Sequence, residues 1–332
     1  MNSYFSKQKK CCRRLFPAFP PAVSPEFGVL AYVTNSGDGP TTDTISVIDT
    51  ASNTEIPPRI PVGDNPLGIA ITPDGLRAYV TNSDENTVSV VSTVLKIEIS
   101  PRIPVGDGPR GIAITPDGSR AYVTNRFNNT VSIINILTNT EILPRISVGD
   151  GPVSIELTPD GLHAYIANAP GGTISVVSTI SNTELLQIPV GNLPIATAIT
   201  PNGLRAYVTN GTDGTVSVID TASNTEILPR ISVGDQPRGI AITPDGSRVY
   251  VTNELDHTVS VINTLTNTEI LQIPVGNRPI RVAITPDGSR AYVTNIIDNT
   301  VSVIDTFTNT EIFPRIPVGD FPFAIAIAPI PM

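Results

Sequence analysis

The chain has no tryptophan, only two histidines, and methionine only at positions 1 and 332. Its two cysteines are the adjacent Cys11 and Cys12, so no disulfide framework can hold residues 13–332 together. With Cys11 and Cys12 in the amino-terminal tail, and His163 and His257 expected on opposite faces of the fold that the repeats imply, no zinc or copper ligand set can be assembled. No apolar run approaches the ~20 residues that a membrane helix needs. Charged residues make up 15% of the 332 and apolar residues 40%, a balance too hydrophobic for a disordered chain. Thr, Asn, Val, Ile and 32 prolines fill the sequence instead, which is a composition of strands and turns.

Charge is unevenly placed. Residues 1–26 carry Lys7, Lys9, Lys10, Arg13 and Arg14 against Glu26, whereas residues 27–332 carry 16 cations against 29 anions, a net of −13. Such an acidic body repels a phosphate backbone and argues against nucleic acid as a partner. After the basic stretch comes LFPAFPPAV, where Pro17, Pro20 and Pro21 interrupt any apolar helix at a cost of about 3 kcal/mol each. A secretory signal is therefore not read here. Residues 1–26 are expected to form a disordered, basic, proline-rich tail. The flanking cations favour the thiolate of Cys11 and Cys12. That leaves three readings open: crosslinking, acylation beside a basic patch, or a reduced pair without a role.

Internal repetition fixes the architecture. AYVTN begins at Ala31, Ala78, Ala121, Ala206 and Ala291, with AYIAN at Ala164 and VYVTN at Val249, at successive spacings of 42 to 47 residues. TVSVIDT, NTEILPRIPVGD and GIAITPDG recur between these blocks. Each block alternates or is β-branched, and each is bounded by Asn, Asp, Gly or Pro, the signature of a strand. Four strands per repeat match one blade of a β-propeller. The first copy lacks its GIAITPDG strand, and the last, Ala324 to Ala328, lacks its AYVTN successor. One blade should therefore take three outer strands from the amino end and its inner strand from the carboxyl end. The expected fold is all-β: a seven-bladed propeller over residues 27–332, with four antiparallel strands per blade.

Through the AYVTN, TVSVID, PVGD and ITPDG blocks, residues 27–332 resemble the YVTN family of β-propeller repeats, found in bacterial and archaeal surface and secreted proteins. The resemblance implies the propeller fold and a cell-surface or extracellular setting, and it carries no catalytic residues. The proline-interrupted amino end departs from family members that have a signal peptide, which keeps the cytoplasm as the alternative location.

With strands running alternately down and up, the ITPDG and DTxTNT turns share one face, and the loops after YVTN and PVGD share the other. The first face is nearly constant between copies. The second varies, its loops reading SGDGPTTDT, SDENT, RFNNT, APGGT, GTDGT, ELDHT and IIDNT. A binding surface has to be asymmetric, so the variable face is the functional candidate. Its apolar tips Phe127, Leu193, Leu255, Ile296, Ile297 and Phe321 are candidate partner contacts. Near the axis stand Arg110, Arg238 and Arg281, with Glu156 at an alanine position of its inner strand. A carboxylate there needs a partner. This group either holds a small anionic or polar ligand or forms a structural salt bridge.

The leading expectation is a non-enzymatic binding or surface-layer-type scaffold whose partner is a protein or a cell-surface component. It calls for no cofactor, no metal and no catalytic residue. The alternative is a ligand-binding or lactonase-like hydrolytic enzyme working at the channel mouth around Arg110, Glu156, Arg238 and Arg281. The oligomeric state is not legible in the sequence.

Overall fold

A computed structural model describes residues 27–37 and 43–331; the expected tail, with Cys11 and Cys12, lies outside them. Every repeat block forms a strand. In blade two these are Pro66–Ile71, Arg77–Asn82, Thr87–Ser92 and Ile97–Pro104, paired in chain order from the axis outward. Blades three to seven repeat the pattern, ending with Thr310–Pro317. Blade one is the seam. There Pro322–Pro331 pairs antiparallel with Phe27–Asn35, which pairs with Thr44–Asp49, and the outer strand is split into Thr54–Glu55 and Ile60–Pro61. The expected seven-bladed, all-β propeller and its two-ended closure are what the molecule shows.

The second and third strands of each blade are buried along almost their whole length, as in Ala78–Asn82 and Val88–Val91. Each blade is covered on both faces by its neighbours, so these strands are buried along both faces, with the polar Thr81, Asn82 and Ser89 enclosed among the apolar residues. The core is accordingly divided among the seven inter-blade interfaces. One of them packs Tyr32, Val47 and Ile60 of blade one against Ala78, Val80 and Val91 of blade two.

The tyrosine of each YVTN block is buried and reaches the following blade. Tyr79 donates to Asn139 Oδ1 at 2.6 Å, and Tyr292 closes the ring on Asn53 Oδ1 at 2.6 Å. The TPDG turns share one geometry. Thr72 Oγ1 donates to Asp74, the Leu76 amide does so at 2.9 Å, and Gly75 takes φ 72°, the left-handed region that glycine enters without strain. Among the described residues no helix is long and apolar enough to cross a membrane.

Candidate functional site

The loops after YVTN bond to those after PVGD, for example Ser83 N to Asn65 O at 3.0 Å, so both lie on one face as the repeats imply. On that face the inner strands converge on an axial cavity of about 150 Å³ whose wall includes Arg110, Ser154, Thr197, Arg281 and Phe323. Arg110 and Arg281 each sit near the start of an inner strand, Pro109–Ile114 and Pro279–Ile284. Both guanidiniums flank the Phe323 ring, at 5.9 and 5.4 Å from its centroid. Such contacts contribute about 0.5–1 kcal/mol each and neutralise nothing.

Among the described residues neither arginine is in a salt bridge, and the buried carboxylate of Glu254 is taken by Arg238 and Arg278. Burial, then repulsion from Arg126 and Arg238, pulls the pKa of Arg110 down to about 10. Burial, then repulsion from Arg110 and Arg238, pulls that of Arg281 down to about 9. Both remain cations at neutral pH, in a site short of an anion.

Arg238 belongs to a different arrangement from the one expected. It pairs with Glu254, which also binds Arg278, with Arg278 Nε 2.8 Å from Oε1. Glu254 is only 1% exposed. It stands where the other copies carry Ser36, Ser83, Arg126, Ala169, Gly211 and Ile296. Comparing the copies marks the position as odd, but its two partners come from separate inner-strand approaches and cannot be read from spacing.

Glu156 lacks the partner that was expected for it. No hydrogen bond or ion pair to its carboxyl occurs among the described residues, and burial alone pushes its pKa from 4.5 up to about 7. It interrupts a ring of alanines (Ala70, Ala113, Ala198, Ala241, Ala283 and Ala326), is half-buried, and is not itself part of the cavity wall. Ser154, on the cavity wall, lies two residues earlier on the same strand, which places Glu156 about 6.6 Å further along the axis.

Sequence reasoning missed the two hydroxyls beside it. Thr197 is buried at 8% exposure where other blades carry Ile69, Ile112, Ile155, Ile240, Val282 or Ile325. Thr197 and Ser154 form part of the cavity wall, with their hydroxyl oxygens enclosed and without a protein hydrogen-bond partner. Buried polar groups are nearly always satisfied, so two unpaired hydroxyls in the wall that also carries two uncompensated arginines mark a polar, cationic site suited to a small anion.

The apolar tips behave unevenly. Phe127, Leu255 and Ile297 are exposed and Leu193 only just so, while Ile296 and Phe321 are half-buried. Leu193 and Phe321 also hold left-handed φ values of 56° and 50°, which side chains of that size rarely adopt. The most exposed large apolar side chains lie on the opposite, constant face: Leu137, Leu265 and Phe307, at 88, 89 and 91%. Exposure therefore does not single out the variable face as a docking surface, and its asymmetry resolves instead into a charged mouth around a cavity.

A family model described as a lactonase, seven-bladed β-propeller, matches residues 38–197, and one described as a YNCE-like β-propeller matches residues 245–319. No curated protein matches the sequence. Among solved structures, a Bacteroides fragilis protein provisionally titled a 6-phosphogluconolactonase is similar at TM-score 0.77 and 18% identity, covering 93% of this chain and all of that one. The periplasmic gluconolactonase of Pseudomonas aeruginosa gives 0.75 and 17%, covering 92% and 99%. Kuenenia stuttgartiensis hydrazine synthase gives 0.72 and 24%, covering 82% and 94%.

The leading expectation of a non-enzymatic scaffold is corrected by these findings: the matched family model is that of a lactonase, in agreement with the enzymatic alternative. At these identities the structural likeness speaks for the fold, and the chain is a seven-bladed β-propeller of the architecture that lactonases share.

Proposed function

We propose that the protein is a lactonase-like hydrolase that opens a small anionic lactone at the channel mouth. The observation that carries this reading is the pair of uncompensated arginines, Arg110 and Arg281, above a carboxyl group that titrates near neutrality, Glu156. The lactonase family match supports the reaction class, and the titles of the Bacteroides and Pseudomonas structures suggest a sugar-acid lactone. A cavity of about 150 Å³ is small beside the ~300–1,000 Å³ of pockets for drug-sized ligands, and it suits a single sugar-sized ring. The repeats themselves we assign to the YVTN type, which concerns the scaffold that carries the site.

Each group has a defined task in this reading. Arg110 and Arg281 hold the substrate's phosphate or carboxylate and keep it at the mouth, against a wall to which Ser154 and Thr197 contribute. The Glu156 carboxylate takes a proton from a water that attacks the lactone carbonyl carbon. The tetrahedral oxyanion then collapses, the ring C–O bond breaks, and Glu156 returns the proton to the leaving ring oxygen. The product is an open hydroxy acid, which releases its own proton to solvent. A base with a pKa near the working pH suits both proton transfers.

Acid release from 6-phosphoglucono-δ-lactone and glucono-δ-lactone, followed at constant pH against the spontaneous rate, tests the proposal. Turnover above background, favouring the phosphorylated lactone, is expected; background rates with both substrates would refute it.

A further inference from the structure

A second cavity, of about 870 Å³, lies at the seam on the TPDG-turn face, far larger than the 380 Å³ hollows at the corresponding places between blades five and six and between six and seven. The repeat explains the difference. At most interfaces the turn glycine of one blade abuts the turn proline of the blade before: Gly118 on Pro73, Gly161 on Pro116, Gly203 on Pro159, Gly246 on Pro201 and Gly288 on Pro244. Gly75 instead faces the Pro329 carbonyl and the ring of Pro331. Blade one has no TPDG turn, because its first hairpin is split between Pro322–Pro331 and Phe27–Asn35. Pro286 of blade seven therefore has no turn glycine over it and lines the open groove, together with Val29, Leu30, Ala51, Ile56 and Val94.

We propose that the segment Leu15–Pro25 of this same chain fills the groove and covers Pro286. The tether argues for this occupant: Gly28, Val29 and Leu30, directly downstream, are part of the groove wall. So short a connection gives the segment an effective concentration of the order of millimolar or higher. Composition agrees, since LFPAFPPAVSP is apolar and uncharged, and its four prolines leave less backbone entropy to lose on docking in an extended form. Charge agrees as well. Lys7, Lys9, Lys10, Arg13 and Arg14 precede the segment; the groove lining balances Asp49 and Asp287 with Lys96 and Arg290, so the attraction comes from the net −13 of residues 27–332 as a whole. Composition alone expects the whole tail to be disordered; the groove gives its apolar half a seat. Docked there, the segment would bring out Cys11, Cys12 and the basic stretch on the face opposite the channel mouth.

Hydrogen exchange read by mass spectrometry on residues 49–56, 93–96 and 285–290 tests this in the full chain, in the same chain carrying Ala51→Glu on the groove rim, and in a chain lacking residues 1–24, which keeps every described strand. Truncation and Ala51→Glu should each speed exchange in these segments by several-fold with unchanged circular dichroism. A synthetic peptide of residues 13–26 should restore protection to the truncated chain. Equal exchange in all three proteins overturns the proposal. Protection of the full chain that rises with protein concentration, together with a dimer in sedimentation, also overturns it and identifies a second copy as the occupant.

Discussion

Single side chains decide how the blades hold one another. Six tyrosines, Tyr79, Tyr122, Tyr165, Tyr207, Tyr250 and Tyr292, donate to an asparagine of the next blade at 2.6 to 3.0 Å. Tyr32 meets Lys96 at that position and donates only to the Thr93 carbonyl at 3.2 Å. Lys96 also holds φ 55°, a conformation that asparagine tolerates better. Lys96→Asn should therefore stabilise the protein by about 1 kcal/mol, raising Tm by roughly 2 °C. A lower Tm would mean that the tyrosine–asparagine bond contributes nothing across this interface.

Glu156 predicts a dependence of opposite character. Its carboxyl is protonated in the folded protein up to about pH 7 and loses its proton near 4.5 when unfolded. Folding thus binds a proton between these values, so the stabilising contribution is full below pH 4.5 and is lost as pH rises to about 7. Urea unfolding from pH 4.5 to 7.5 should show the wild type losing stability relative to Glu156→Gln across this window and running parallel above it. Parallel curves throughout would place Glu156 in a solvated position instead.

At the scale of elements, the closing strand Pro322–Pro331 carries the ring. It pairs with Phe27–Asn35, the Ala324 amide bonds Thr34 Oγ1 at 2.9 Å, and Ile330 is buried in the first interface. Deleting residues 320–332 removes this ladder, forfeits about 2 kcal/mol for the buried Ile330 side chain alone, and uncovers the inner face of blade one. The shortened chain should melt more than about 10 °C lower or fail to fold; an unchanged Tm would contradict the seam.

Strands, blade number and seam are all legible in the sequence, because seven copies of one pattern report each other's boundaries. What lay across blades is less legible. The copies flag Glu254, Glu156 and Thr197 as departures from the repeat, but ring geometry, not spacing, determines that Glu254 meets Arg238 and Arg278 while Glu156 meets no one. The apolar tips were legible as residues but not as surfaces, since Ile296 and Phe321 fold partly inward.

On the scale of the whole molecule, an acidic body carries a cationic mouth. Arg110, Arg126, Arg238, Arg278 and Arg281 gather there with Glu254 as the buried counter-charge. Such a field draws small anions toward the axis and weakens with salt. The central claim is that this mouth binds the anion while Glu156 moves the proton. Its most direct test is the pH dependence of kcat/KM for 6-phosphoglucono-δ-lactone in the wild type, Glu156→Gln and Arg281→Ala. The account predicts a wild-type profile rising through an inflection near pH 7. That inflection should vanish in Glu156→Gln with a loss of about 10²–10⁴-fold, whereas Arg281→Ala should keep it and raise KM. A wild-type inflection that survives in Glu156→Gln at undiminished rate would contradict the account.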